Sequence, residues 1–341
     1  MVQTRVDSDV AIIGGGFAGC ATAWWLGRRG VRAIVLERER MLGRYASGRS
    51  AGLGRQIVED DATTMLTVRG ANLLRAHVRP AWRESGGILS FDDAAVLEQY
   101  VARAARFAIP VERIDRAAVL ARWPAMTGLP IAGALLVPSD GVIDVRSLLD
   151  ELSRGITLRT GVRVDGVETT KTGVRVATSV GPIETRIVVD AAGAWAGSVI
   201  GGAPFEVLKR HVFVVEASPP EGPYMWHVGK GEIYARGDGQ ALLVSACDAT
   251  PEPPGDSMVS EAGEAGMRKA LGAAAPSLGG LRVVSGWACQ RTFGPDRQMR
   301  LGRDPDRPWL VWAAGLGGHG ATAAAAVGER VAAAVIDAVR A

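Results

Sequence analysis

Residues 9–39 read DVAIIGGGFAGCATAWWLGRRGVRAIVLERE, and few folds accommodate that order of residues. Val10 to Ile13 is an apolar run of strand length. Gly14, Gly16 and Gly19 follow it as G-x-G-x-x-G. Ala21, Trp24 or Trp25, and Leu26 recur at helical spacing up to Gly30, and a second apolar run, Ala33 to Leu36, ends in Glu37. The order strand, turn, helix, strand predicts a βαβ unit. Gly14 allows the tight turn out of the first strand, Gly16 lets the backbone approach a pyrophosphate, and Gly19 lets the helix pack close to the sheet. The helix N-terminus offers open N–H groups to phosphate, and Glu37 stands where an acid accepts hydrogen bonds from ribose hydroxyls. The unit predicts dinucleotide binding, and the acid disfavours a 2′-phosphate and with it NADP.

The rest of the chain bounds this reading. A length of 341 residues suggests about two domains. Hydrophobic residues make up 48% and charged residues 22%, a globular balance. The 39 basic and 36 acidic residues leave a net charge of +3, and no Lys/Arg cluster interleaves with aromatics, so nucleic acid is not an expected partner. Cys20, Cys247 and Cys289 are odd in number and lack C-x-x-C spacing, which argues against a disulfide framework or a zinc site and for a reducing compartment. The histidines lack metal-ligand spacing. The N-terminal stretch has no signal-peptide core, and no run of about 18 apolar residues could span a membrane. The expected location is cytoplasmic, with peripheral membrane association left open. Oligomeric state is not readable.

Two further glycine-rich segments separate FAD from NAD. GRYASGRSAGLGRQI, residues 43–57, follows the acid where an NAD enzyme goes straight to another βα unit. A loop of small residues suggests backbone donors reaching along a longer ligand. RIVVDAAGAWAGSV, residues 186–199, is an apolar strand ending in small residues. LVWAAGLGGHGATAAAAVGERVAAAVIDAV, residues 310–339, reads as strand, glycine loop and Ala-rich helix. Gly315, Gly317, Gly318 and Gly320 place N–H groups at a second helix N-terminus, which favours negative charge, such as that of a reduced flavin ring.

AIIGGGFAG, VLERE, ASGRSAG, VVDAAGAWA, RTFGPD and GLGGHGAT, in this order along nearly the whole chain, resemble the D-amino-acid oxidase superfamily of flavoenzymes. D-Arginine dehydrogenase-type D-amino-acid dehydrogenases, glycine oxidase and sarcosine oxidase are the look-alikes. The resemblance implies an α/β fold: a Rossmann-like FAD-binding domain and a discontinuous second domain on a mostly antiparallel sheet. In that layout the FAD domain takes residues 1–57, 140–205 and 294–341, and the substrate domain 58–139 and 206–293. Implied cofactor contacts are Gly14, Gly16, Phe17, Ala18 and Gly19 in the first turn, and Glu37 and Arg38 after the second strand. Ala46, Ser47, Arg49, Ser50, Ala51 and Gly52 follow in the small-residue loop. Val164, Ala192, Gly193 and Trp195 come from the middle of the chain, and Gly315, Gly317, Gly318, His319, Gly320, Ala321 and Thr322 from the last loop.

The implied chemistry is hydride transfer from a substrate Cα to flavin N5, with the carboxylate held still. A carboxylate suits a guanidinium. Arg291, in the stretch WACQRTFGPD, matches the carboxylate-binding arginine of similar enzymes. Tyr234 adds a hydroxyl, Arg210 and Arg236 are further candidate clamps, and Tyr45 is expected to border flavin and substrate. Cys289 fits the C-x-x-T-x-x-P-D spacing on which sarcosine oxidases carry covalent flavin, while Arg291 matches the non-covalent branch. Non-covalent FAD is favoured, with a covalent link through Cys289 kept open. The strand ALLVSACD lacks the lysine that sarcosine oxidases place near flavin, a lean towards a dehydrogenase with a quinone or dye acceptor rather than oxygen. The expected reaction is oxidative deamination of a free α-amino acid, a D-amino acid favoured, to an imine and then a keto acid and ammonia. Alternatives are a glycine- or sarcosine-type oxidase and a partner-dependent flavin subunit of a hetero-oligomeric amine dehydrogenase. An NAD-binding protein is disfavoured by the later glycine segments.

Local patterns add detail. Residues 61–84 are expected to be helical, with Met65, Leu66, Leu73, Leu74 and Trp82 on an apolar side. Residues 111–126 read as strand, cap and helix ending near Pro124. Residues 140–152 read as a turn and a helix capped by Asp144. Residues 232–248 alternate as two strands about an Asp-Gly turn at 238–239, and 248–257 is a Pro-rich loop.

Overall fold

The computed structural model describes residues 8–202 and 205–340. One sheet has six strands in the order β20 (Arg300–Arg303), β21 (Leu310–Ala314), β13 (Ile187–Asp190), β1 (Val10–Ile13), β2 (Ala33–Glu37) and β9 (Thr157–Thr160). All neighbours are parallel except β20 and β21. Its apolar faces are covered on both sides, as a parallel sheet requires. Helices α1 (Phe17–Arg28), α2 (Asp61–His77), α5 (Val145–Ser153) and α7 (Gly320–Arg340) pack on one face. The ribbon β10 (Val164–Thr169), β11 (Val174–Thr178) and β12 (Ile183–Thr185) packs on the other.

The second large sheet runs β18 (Thr250–Pro251), β14 (Glu206–Val215), β17 (Ala241–Ser245), β16 (Ile233–Asp238), β15 (Tyr224–Val228), β5 (Gly87–Phe91), β7 (Gly133–Val137) and β6 (Glu112–Ile114), with β19 (Val283–Phe293) paired to β14. Only β15 and β5 are parallel; the other pairs are antiparallel. Its core clusters are filled from α3 (Ala94–Arg106), α4 (Arg116–Arg122) and α6 (Glu261–Ala274). A small sheet of β3 (Leu53–Gly54), β8 (Gly141–Ile143) and β4 (Trp82–Glu84) lies along the chain crossings between the two. The fold is therefore α/β, a Rossmann-like sheet joined to a mostly antiparallel one. Among the described residues, no helix is long and apolar enough to cross a membrane.

Local chemistry explains the boundaries. Asp60, Asp115 and Asp144 each cap a helix by accepting a first-turn N–H, from Thr63, Ala118 and both Arg146 and Ser147. The turn between β16 and β17 places Gly239 at φ +62, where a side chain is strained. The stretch 61–84 departs from the helical expectation. Its helix ends at His77, Pro80 follows in a short turn, and Trp82–Glu84 pairs with β8 as a strand. Proline cannot donate the N–H that a continuing helix needs. Met65 is 46% exposed rather than on the apolar side. Residues 141–143 form a strand where a turn was expected, because β3 and β4 pair with them on both edges.

Helix α2 follows the first glycine segments in sequence and packs its apolar side on α7 rather than on the large antiparallel sheet. The approach is close at Gly70, where an added Cβ would stand 2.1 Å from the Thr322 carbonyl oxygen. Both atoms belong to rigid backbone, so Gly70→Ala is expected to push α2 from the first turn of α7. The expected cost is about 1–3 kcal/mol, read as a lowered thermal midpoint. An unchanged midpoint would show that the helices separate freely.

Candidate active site

A cavity of about 750 Å³ runs between the two large sheets, within the range of small-molecule sites. It opens at the carboxyl ends of β1, β2 and β13, where the sheet's chain order reverses and open α/β sheets bind ligands. Gly14 leaves β1 at φ +105, and a Cβ there would lie 2.5 Å from the Ala191 carbonyl oxygen. Gly19 does not line the cavity; its missing Cβ would lie 2.0 Å from the Gly14 carbonyl oxygen, so it seats α1 against the turn. Gly16, Phe17 and Ala18 form the cavity wall. The Ser47 hydroxyl accepts the Phe17 N–H at 2.9 Å, so the small-residue loop caps α1.

Glu37 closes β2 with both carboxylate oxygens engaged. Oε2 accepts the Gly15 N–H at 2.7 Å and Oε1 the Glu39 N–H at 2.8 Å. Beside it, the Arg38 guanidinium lies 3.7 Å over the Trp195 ring. Tyr45, expected beside the substrate, belongs here instead. Its hydroxyl donates to Glu39 at 2.6 Å and accepts from Arg38 at 2.7 Å, and its ring lies 4.7 Å from Trp195. The polar partners of that hydroxyl are all at the Glu37 end, which fixes the ring there. Ala46, Ser50, Ala51, Gly52, Val164, Ala192 and Gly193 line the same cavity.

The last glycine loop forms the middle of the wall. Gly315, Gly317 and Gly318 have positive φ, and α7 starts at Gly320. Ala323 donates the first helical bond, to the His319 carbonyl at 3.0 Å. The N–H groups of Gly320, Ala321 and Thr322 stand ahead of that bond at the cavity wall, the open end of the helix dipole.

The deep end is built by β14, β16 and β19. Arg210 and Cys289 face each other in register, and Arg291 follows two residues along β19, on the same face. Arg291 touches the Gly318 turn, where an added Cβ would lie 2.9 Å from its Cδ. Its Nη2 donates only a long bond, 3.4 Å, to the Asp248 carbonyl, and its Nε is buried without a partner among the described residues. Burial, and then the like charge of Arg210, pushes the Arg291 guanidinium down to about 10, so the site lacks an anion for a cation that stays charged at neutral pH. Arg210 is better satisfied: Nη2 donates to the Cys247 carbonyl at 2.7 Å and Nε to that of Asp248 at 3.2 Å. It thereby holds a backbone turn in which Cys247 takes φ +54. Tyr234 is buried at the same wall, 4.8 Å from the Trp226 ring. Burial pushes its phenol up, so it remains a donor. Burial also pushes the Cys289 thiol up, against the pull of Arg291, Arg210 and Arg49, and keeps it neutral.

Two further expected contacts lie off the cavity. Arg49 is spent on the Ser257 carbonyl at 2.9 Å, the Ala288 carbonyl at 3.0 Å and the Asp256 carboxylate. Arg236 donates to the Ala51 carbonyl at 2.7 Å and to Asp238 at 2.9 Å. Both arginines latch the small-residue loop to the antiparallel sheet. Conversely, the sequence reading passed over Arg55, Glu59, Trp226, Glu232 and Cys247, which all line the cavity. One signal was available for Arg55: an arginine two residues before the apolar Ile57 and Val58, both of them fully buried.

A family model described as FAD dependent oxidoreductase matches residues 9–334. Glycine oxidase from Geobacillus kaustophilus (strain HTA426) is 26% identical over 333 residues, covering 90% of this chain and 87% of that one. Mitochondrial sarcosine dehydrogenase from Mus musculus is 28% identical over 273 residues, covering 72% of this chain. The match spans only 29% of that much longer relative. Among solved structures, L-proline dehydrogenase from P. horikoshii superposes with a TM-score of 0.88 at 22% identity, covering 96% of this chain and 93% of that one.

His319 gives the site a pH signature. Burial, and then the cations Arg55 and Arg291, push its imidazole down to about 4, while Glu59, 3.7 Å away, pulls the other way. Between about 4 and the ordinary value of about 6.5, the unfolded chain binds a proton that the folded chain refuses. The contribution of His319 to stability therefore falls as pH drops through that window. The drop in thermal midpoint from pH 7 to pH 5 is expected to be smaller in His319→Gln than in the parent. An equal drop would remove His319 as its source.

Proposed function

The chain belongs to the FAD-dependent oxidoreductase family, and we propose that it oxidises the Cα–N bond of a free amino acid, a D-amino acid favoured, to the corresponding imine. The observation that carries this reading is Arg291. It is a half-buried cation with a buried, unsatisfied donor, in the same cavity as the glycine turns, and so suited to a carboxylate. An N-substituted glycine would satisfy the same clamp.

The residues present fit FAD. Gly14 and Gly16 leave a wall that side chains would fill, Glu37 stands at the ribose position, and α7 aims its positive end into the cavity. FAD, when bound, supplies the acceptor for the two electrons and the hydrogen leaving the substrate Cα. The chain's own residues do the positioning. Arg291 neutralises the carboxylate, and the Tyr234 phenol is placed to donate to the same group. His319 is neutral at physiological pH and adds no positive charge near the amine. The walls of Trp226, Cys247 and Cys289 keep the clamp poorly hydrated, which strengthens it. Oxidation removes two electrons and two protons from the CH–NH unit; water then hydrolyses the imine to a keto acid and ammonia. The strand β17 reads ALLVS and carries no lysine, which supports a quinone or dye acceptor over oxygen. The three buried free cysteines support a reducing, cytoplasmic setting.

Anaerobic mixing with D-, L- and N-methyl amino acids tests the reading directly. Visible flavin absorbance is expected to bleach with at least one class; if none bleaches it, the proposed function falls. Arg291→Met is expected to raise the apparent KM by about 100-fold, the loss of roughly 3 kcal/mol in charge-assisted hydrogen bonds, and an unchanged KM would remove Arg291 from the site. Acid precipitation is expected to release yellow FAD into the supernatant, since burial keeps the Cys289 thiol neutral. Colour retained in the pellet of the parent, and lost from that of Cys289→Ala, would instead establish a covalent link.

A further inference from the structure

Besides Arg210 and Arg291, the cavity holds the buried guanidinium of Arg55, which the clamp on one carboxylate leaves unused. Arg55 follows β3 and its side chain is 3% exposed. It pairs with the Glu59 carboxylate through Nη2, and its plane lies 4.1 Å from the Trp226 ring. Its other two nitrogens, Nε and Nη1, are buried with no partner among the described residues, and the side chain lines the cavity. Glu59 does not complete the pair, because it is 55% exposed and reaches one nitrogen. The other nearby carboxylate, Glu232, accepts the Trp226 indole N–H at 2.8 Å.

Arg55 and Arg291 are separate anion-seeking points in one chamber. They lie on different segments of the chain, and both cations act on His319. The neighbours of Arg55 are Glu59, Trp226, Tyr100 and Tyr224, all away from Glu37 and the ribose end. A substrate with one carboxylate, held by Arg291, would leave two buried donors of Arg55 unpaired, which is costly for a charged group. A second carboxylate on the same molecule would satisfy them.

Resting on the function proposed above, we propose that the site takes a dicarboxylic amino or imino acid, its α-carboxylate on Arg291 and its distal carboxylate on Arg55. The reaction is the same two-electron oxidation at Cα; the distal group takes no part in it. Arg55 is a specificity determinant that selects the substrate by its far end, with Trp226 fixing the plane of the guanidinium.

Two measurements on the purified flavoprotein test this. The first is binding of unreactive acids, followed by the perturbation of flavin absorbance. Glutarate and succinate are expected to bind at least tenfold more tightly than butyrate and propionate. The second is the kcat/KM of aspartate, glutamate and N-carboxymethylglycine against alanine and N-methylglycine. The dicarboxylic compounds are expected to lead by at least tenfold, mainly through KM, and Arg55→Met is expected to bring that ratio close to one. Arg55→Lys, which keeps the charge, should restore part of the preference. Diacids binding no better than monoacids would overturn the proposal. So would an Arg55→Met that weakens both classes equally, since Arg55 would then hold the single carboxylate. If monocarboxylic amino acids alone bleach the flavin, the proposed oxidation stands and the distal subsite falls. If no amino acid bleaches it, the oxidation falls, and the binding of unreactive diacids still decides the role of Arg55.

Discussion

The contact between the ends of β1 and β13 organises this molecule. At Gly14 the backbone turns with positive φ so near β13 that an added Cβ would lie 2.5 Å from the Ala191 carbonyl oxygen. No side chain fits, so the two strand ends close on each other and the chain order reverses beside them. That closure sets the mouth of the cavity, aims α1 across it and puts the 191–195 segment on its wall. Removing the closeness would unseat Gly19 and the start of α1 as well, since the Gly14 carbonyl is the surface on which Gly19 rests.

The charges of the cavity are arranged in the opposite sense along its length. Near the mouth, Glu37 and Glu39 accept bonds from backbone and from Tyr45, so negative charge is matched locally. In the deep end, Arg55, Arg210 and Arg291 share the wall with Glu59, Asp60 and Glu232. Two of those arginines keep unpaired donors. The desolvation of Glu59 is outweighed by the Arg55 cation, which holds its carboxyl down at about 2, so the pair stays charged through the ordinary pH range. A low-dielectric chamber with guanidinium donors left unpaired favours an anion over a neutral ligand.

The parts of this arrangement visible in the sequence are those set by local rules. The βαβ unit follows from apolar period and glycine spacing, and the start of α5 follows from its Asp144 cap. Arg291 was marked by the resemblance of RTFGPD to a carboxylate-binding motif, and the structure puts it on the cavity wall with Arg210. The parts that were not legible depend on contacts between distant segments. Tyr45 is placed by Trp195 and Glu39, not by its neighbourhood in the small-residue loop. Arg49 and Arg236 look like ligand arginines in sequence, and only tertiary packing shows that they hold backbone. Arg55 gains its meaning from Trp226, which arrives from another strand of the sheet. Met65 fits a helical stripe, but the stripe that α7 covers is defined by Gly70 and lies elsewhere on the helix.

The small-residue loop is stitched to everything around it. Ser47 caps α1, Arg49 reaches Asp256 and β19, Trp287 donates to the Arg49 carbonyl at 2.8 Å, and Thr322 donates to the Leu53 carbonyl at 3.1 Å. The loop therefore belongs mechanically to both ends of the cavity. A ligand that stiffens the deep end stiffens the same strap that shapes the dinucleotide end. Linkage then runs in both directions with one free energy: the factor by which an occupant of the deep end tightens binding of the dinucleotide is the factor by which the dinucleotide tightens binding of that occupant. The protein is built so that its two tenants hold each other in place.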